Sequence, residues 1–171
     1  NSADGAQLTP YTTATFSNIT FVGPKAAADF LNDKSYITGG DYFPNNGSGL
    51  GKFQSAMQIR RSSRLNCVNS VATDWPIGLI IDGEKGNTVE QAKAGTLNLK
   101  NIYFANMDVV GTDANKCYED KEYDFKTKSV KADSEMSFSH RFFEKQDGNK
   151  YFADKSQLML TDGKGVGVPF M

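Results

Sequence analysis

Ser55–Asp82 reads SAMQIRRSSRLNCVNSVATDWPIGLIID. Three short runs inside it alternate apolar and polar residues: Ala56–Arg60, Leu65–Asn69 and Ile77–Ile81. Each has the length of a short strand, a few residues separate one from the next, and no helix-length pattern lies between them. Strands spaced so closely suit a hairpin sheet or a coil of parallel strands. The coil is the favoured reading of this all-β chain, and an antiparallel jelly roll is the alternative.

Outward from this stretch the pattern continues. Ala14–Val22 (ATFSNITFV) is a strand region ended by Gly23-Pro24. Lys25–Leu31 reads as a short helix, with Pro24 near its first position, where a missing N–H costs nothing. Asn32–Lys52 is a long Gly-rich loop, of a length that is either functional or packed on the surface. On the other side, Thr88–Ala94 has the makings of a helical turn, and Thr96–Met107 (TLNLKNIYFANM) is a further strand region. Residues 108–133 are polar and charged. Ser134–Lys145 (SEMSFSHRFFEK) reads as an amphipathic helix with Ser134 as N-cap and Phe138, Phe142 and either Met136 or Phe143 on one face. Leu158–Leu160 is expected to form a last short strand or helix edge.

A weak internal repeat supports the coil. Phe16-Ser-Asn18-Ile-Thr-Phe21, Cys67-Val-Asn69-Ser-Val-Ala72 and Leu99-Lys-Asn101-Ile-Tyr-Phe104 share a pattern, with their Asn residues 51 and 32 positions apart. On stacked coils such Asn side chains can form a ladder, each amide donating to one neighbour and accepting from the other. The alternative is that Asn18, Asn69 and Asn101 simply mark turns.

ATFSNITFVGP (14–24), QIRRSSRLNCVNSVATDWPIGLIIDG (58–83) and AGTLNLKNIYFANM (94–107) together resemble the C-terminal part of a family of secreted or surface proteins of Bacteroidota, most of them uncharacterised. The resemblance covers residues 14–24 and 53–107, with a looser fit around Asn115–Tyr123. It implies a right-handed parallel β-helix, a pectate-lyase-like solenoid, with further coils before residue 1. It implies no activity. The expected organisation is one domain over 1–171, with coils in 14–107 and a polar loop, capping helix and tail in 108–171. The start at Asn1 without Met and the apolar end at Gly167–Met171 lead to the same expectation, a piece of a longer chain.

Composition narrows the function classes. The 171 residues suffice for one real core, and 39% hydrophobic with 23% charged residues is neither disordered nor membrane-like. Nineteen basic against 20 acidic residues leave no electrostatic footprint for nucleic acid or for anionic lipid. No apolar run approaches the roughly 20 residues of a membrane span. Cys67 alternates with Leu65 and is expected in the core as a free thiol; the alternative is a Cys67–Cys117 disulfide in an oxidising compartment.

Candidate chemistry is sparse. Arg60, Arg61, Arg64, Asp74 and Asp82 supply the residue types of a calcium-dependent lyase, but Ser55–Asp82 contains no closely alternating acid pair. Solvated arginines paired with neighbouring acids are the favoured reading. Glu119, Asp120, Glu122 and Asp124 are mixed with lysines and read as a charged surface loop rather than the two flanking carboxylates of a glycosidase. His140 is the only histidine, so a His-based metal site is excluded, and it is expected on the outer side of its helix. Asn18 and Asn46 head glycosylation sequons, of little meaning in a bacterial protein. Trp75, in the turn Thr73–Pro76, can stack on a sugar or a partner's side chain, or fold back over the coil. With Tyr36, Tyr42 and Phe43 of the long loop and Arg60 and Arg64, it makes the expected ligand surface.

The expected function is a non-catalytic, secreted or surface β-helix platform in an outer-membrane or envelope assembly, whose partner is an envelope protein or a glycan. No cofactor, nucleic acid or membrane span is expected. The alternative is a polysaccharide lyase or glycoside hydrolase with part of its site on missing coils, a reading drawn from fold analogy. The Ser134–Lys145 helix is expected to close the apolar end of the stack with Phe138 and Phe142.

Overall fold

The computed structural model describes residues 8–27, 53–113, 120–125, 127–161 and 167–169, with 159–161 and 167–169 by backbone alone. Tyr36, Tyr42, Phe43, Cys117, the 32–52 loop and the Asn46 sequon lie outside the described residues.

The Ser55–Asp82 stretch forms three strands: β3 (Ser55–Arg60), β4 (Arg64–Thr73) and β5 (Ile77–Asp82). Before them come β1 (Thr13–Ser17) and β2 (Thr20–Val22). After them come β6 (Asn98–Ala105), β7 (Val109–Thr112), β8 (Tyr123–Asp124), β9 (Ser129–Val130), β10 (Lys150–Phe152), β11 (Met159–Thr161) and β12 (Gly167–Pro169). Two short α-helices, α1 (Thr88–Lys93) and α2 (Phe138–Lys145), interrupt a chain built mostly of strands.

Two sheets carry the fold, and both are parallel throughout. The first runs β1–β4–β6–β10, with β2 also on β4, and the second runs β3–β5–β7. The chain visits the two sheets in alternation, and each strand lies beside the one laid down on the previous visit. The antiparallel jelly roll is therefore corrected: its strands are joined by hairpins, whereas here each strand returns to its sheet only after crossing to the other. Among the described residues, antiparallel pairing is confined to β8–β9 and β11–β12.

The register follows the sequence repeat. Phe16, Cys67 and Leu99 lie opposite one another, as do Phe21, Ala72 and Phe104. Between these rows Asn18, Asn69 and Asn101 hold left-handed φ values of 56°, 52° and 54°. Asn tolerates this region better than other residues with a Cβ, so each strand bends at the same place. At Asn18 the bend divides the expected Ala14–Val22 strand into β1 and β2, while β4 and β6 run through theirs.

The core lies between the sheets. Cys67, Ala72, Leu99, Ile102 and Phe104 from the first meet Met57, Ile59, Leu79 and Ile81 from the second. Cys67 is buried and free. A Cβ at Gly78 would lie 2.5 Å from the Phe104 ring, so glycine there admits the aromatic side chain. β5 is buried at all six positions. Its outer side, with Ile77 and Ile80, is covered by Tyr123 and Phe125. The charged stretch expected as a surface loop thus keeps Lys121 exposed but buries Asp120 and Tyr123. An apolar outer face on β5 needs a cover, and Asp120, 1% exposed, builds the turn that supplies it by accepting from the backbone N–H of Glu122 at 2.8 Å.

The expected 134–145 helix is shorter, and its N-cap is Ser137, not Ser134: Ser137 is extended, and its hydroxyl accepts from His140 N at 3.0 Å. Ser137 Oγ also donates to Gly111 O at 2.9 Å, which ties the helix start to β7. Met136 lies before the helix and is exposed. Phe142 and Phe143 enter the core, and Phe143 stacks on Phe104 at 4.4 Å and 6°. Phe138 is half-buried against them. The short helix expected over 25–31 is a single 3-10 turn at Pro24–Ala26 within the described residues, with Pro24 at its first position.

Candidate functional site

Two concave places stand out among the described residues, one apolar and one charged. The apolar groove forms at the corner between β4 and β5. Asp74 turns the chain there with φ 63°. Gly23 packs against the turn so closely that a Cβ would sit 2.3 Å from Asp74 O and 2.7 Å from Trp75 Cδ1. Gly23 N donates to Thr73 O at 2.8 Å and Lys25 N to Asp74 O at 3.0 Å. The Lys25 ammonium reaches Asp108 Oδ1 at 2.7 Å and Asn106 O at 3.0 Å. These bonds clamp the Pro24–Ala26 turn beside Trp75 and leave a groove of about 460 Å³ lined chiefly by Val22, Pro24, Ala27, Phe53 and Trp75. Phe53 meets Trp75 edge-on at 6.5 Å.

The same corner concentrates orphaned polar atoms. Thr73 Oγ1, Asp74 Oδ2 and Trp75 Nε1 are buried with no hydrogen-bond partner. Asp74 Oδ1 is satisfied, accepting from Asn106 Nδ2 at 2.7 Å with the Lys155 ammonium at 3.5 Å. Three unpaired groups on consecutive residues are uncommon in a native fold.

The charged cleft, also about 460 Å³, lies at the start of α2 and includes Asp113, Asp120, Glu122, Glu135 and Arg141. Most of its carboxylates are already committed. Asp113 accepts from Phe138 N at 2.8 Å, Ser139 N at 2.9 Å and Ser139 Oγ at 2.7 Å. Glu122 meets His140 Nδ1 at 3.0 Å and accepts from Ser137 N at 3.4 Å. His140 is thus corrected from the outer side of the helix to a place between Glu122 and, at 3.6 Å, Glu144. Its side chain is 13% exposed. Of the four acids, Asp113 and Glu135 are exposed, and Glu135 alone has no such anchoring role.

The expected ligand surface does not assemble as one patch. Trp75 lies just beyond the end of β4, whereas Arg64 begins it, at the opposite end of a ten-residue strand. Arg64 is engaged there, its Nε donating to Gln91 Oε1 at 2.9 Å and its guanidinium lying 4.6 Å over the Tyr11 ring. Arg60 sits at the far end of β3, opposite Asp82. Asp82 accepts from Glu84 N at 2.8 Å, a local turn bond rather than an ion pair. Asn101 Nδ2 donates to Asn69 Oδ1 at 3.0 Å, a rung of the ladder considered from sequence. Two further rungs were not anticipated: Asn98 to Asn66 at 2.8 Å, and Asn106 to Asp74. Their shared spacing of 32 is the signal that could have found them.

Two tyrosines have hydroxyls held above their usual value of 10.0. Burial is the main cause for both Tyr123 and Tyr151, and the nearby negative charge of Asp108 adds to it. Among the described residues no group of three or more His, Cys, Asp or Glu is placed to hold a metal ion. No helix there is long and apolar enough to cross a membrane. Comparison with protein-family models, with curated proteins and with solved structures finds no significant match.

Proposed function

We propose that this chain is a right-handed parallel β-helix serving as a non-catalytic binding platform, secreted or at the cell surface within an outer-membrane or envelope assembly. Two in-register parallel sheets visited alternately, with rungs at their bends, support the helix. Right-handedness follows from the strong preference of parallel crossovers for that hand. The likeness to surface β-helix proteins of Bacteroidota supplies the setting.

The observation that carries the platform reading is the wall of the Trp75 groove. Val22, Gly23, Pro24, Ala26, Ala27, Phe53 and Trp75 include no titratable side chain. Such a groove can hold an apolar side chain or the flat face of a sugar, but it offers no acid, base or nucleophile. In the charged cleft Asp113 and Glu122 anchor α2, which leaves no free carboxylate pair for hydrolysis.

Trp75 is the only tryptophan, so its fluorescence reports the groove directly. Titration with a panel of soluble glycans and with fractionated envelope proteins is expected to shift that emission. The captured ligand is expected to be lost at least tenfold by Phe53→Ala. Turnover of an acidic polysaccharide that disappears in Glu135→Gln would overturn the platform reading in favour of a carbohydrate-active enzyme.

A further inference from the structure

Two columns of residues run across the first sheet where its strands turn. Extending the register, Asn18, Asn69, Asn101 and Gly148 form one column, and Gly23, Asp74, Asn106 and Ala153 form the other. Gly148 ends the first, since the Asn101 Oδ1 lies 1.9 Å from where its Cβ would be. In that column amide meets amide, Asn101 on Asn69. The second column sets an amide against a carboxylate, and a lysine reaches the same carboxylate.

These side chains are held from several directions. Asp74 is 1% exposed; its N–H donates to Ala105 O at 3.0 Å, and its carbonyl accepts from Lys25 N at 3.0 Å. Asn106 N donates to Phe152 O at 3.0 Å, and Asn106 O accepts from the Lys25 ammonium at 3.0 Å. Ala153 gives the column no polar side chain, but two residues later Lys155 turns back toward it. A capping box sets that turn: Asp154 accepts from Ser156 N at 2.7 Å, and Asp154 N donates to Gln157 Oε1 at 3.3 Å. Leu158, 1% exposed, anchors the far side of the turn. Asp74 Oδ1 therefore lies 2.7 Å from Asn106 Nδ2 and 3.5 Å from Lys155 Nζ. Asp74 Oδ2 is buried and has no hydrogen-bond partner among the described residues.

An amine, a carboxamide and a buried carboxylate that touches both are the groups that amide exchange within one chain requires. Holding them together turns a slow bimolecular reaction into a unimolecular one. The nitrogen that must leave, Asn106 Nδ2, is the one already against Asp74, so acid and leaving group are in place. The unpaired Asp74 Oδ2 supplies a lone pair for a proton.

We propose that Lys155 Nζ and Asn106 Cγ become joined by an amide bond, with Asp74 carrying the protons. Asp74 takes a proton from the Lys155 ammonium, and the freed lone pair attacks Asn106 Cγ. Asp74 then gives its proton to Nδ2, the Cγ–Nδ2 bond breaks, and ammonia leaves with the attacking nitrogen's surplus proton. One ammonium side chain and one carboxamide become one secondary amide and one ammonium ion, and no oxidant, reductant or co-reactant is consumed. The Lys155 side chain is 33% exposed, which gives the ammonia a way out. The bond ties the turn after β10 to the end of β6, where the first sheet would otherwise fray from its edge. It does not depend on what the Trp75 groove binds.

The test is mass spectrometry of the whole purified chain. Its intact mass is expected to lie about 17 Da below the mass of the sequence, the loss of one ammonia. Tryptic digestion is expected to give residues 101–116 joined to 151–164, uncut at Lys155. Lys155→Arg keeps the charge and Asp74→Asn keeps the shape, and both are expected to restore the full mass, with circular dichroism to check that each variant folds. Three results would overturn the proposal. The first is the full sequence mass in the wild-type chain after prolonged incubation. The second is a loss of ammonia that survives Lys155→Arg, which marks a succinimide at an asparagine instead. The third is a cross-link that survives Asp74→Asn in a folded chain, which removes the carboxylate from the reaction.

Discussion

At the scale of single residues, the bends of this fold depend on a few side chains in an unusual backbone region. Asn18, Asn69 and Asn101 were legible as a column because Asn is among the few residues that enter left-handed backbone at low cost and because its amide can both donate and accept. Gly148 was not legible as the column's end, since its register with Asn101 runs through the crossover between β6 and β10. Gly148→Ala combines a left-handed alanine with a clash on Asn101 Oδ1, and is expected to cost about 2 kcal/mol or more in chemical denaturation. A neutral result would mean that the contact is relieved at no cost. Tyr123 and Tyr151 give a pH prediction. Their folded-state values lie above 10.0, so the unfolded chain releases these protons first as pH rises. Their contribution is intact below pH 10 and falls as pH climbs past it. Denaturation on either side of pH 10 checks this, and Asp108→Asn is expected to lessen the fall.

At the scale of elements, α2 closes the stack. The amphipathic spacing of Phe138 and Phe142 identified the helix, but the largest contribution comes from Phe143, 1% exposed and stacked on Phe104. That pairing depends on where α2 lands, and one turn of helix looks apolar on either flank when Phe142 and Phe143 are adjacent. Phe143→Ala is expected to cost about 3–5 kcal/mol and half-buried Phe138→Ala about 1 kcal/mol, read as midpoint shifts. Replacing both Phe138 and Phe142 by Asp should expose the end of the stack and give aggregates in size-exclusion chromatography. A monomer with unchanged Tm would remove the capping role.

At the scale of the whole molecule, stability should grade from centre to edge. β5 is buried on both faces and flanked by β3 and β7, and β4 and β6 are flanked on both sides within their sheet. β1 and β2 lie at an edge and are largely exposed. Native-state hydrogen exchange is expected to be slowest in β4, β5 and β6 and fastest in β1 and β2. Exchange in β1 as slow as in β4 would mean that the edge is covered.

The sequence by itself determined the main strands and the recurring Asn, and it left parallel coils and an antiparallel jelly roll both open. Alternation fixes which side chains face inward, and a recurring Asn marks the one backbone position where each strand must turn, so both signals are local. The tertiary structure decided what covers what. The Tyr123 hairpin over β5, His140 beside Glu122, and the Phe53–Trp75 groove join segments distant in the chain. A charged stretch such as Asp120–Asp124 looks solvated until an apolar face elsewhere requires burial, and no periodicity within the stretch encodes that demand.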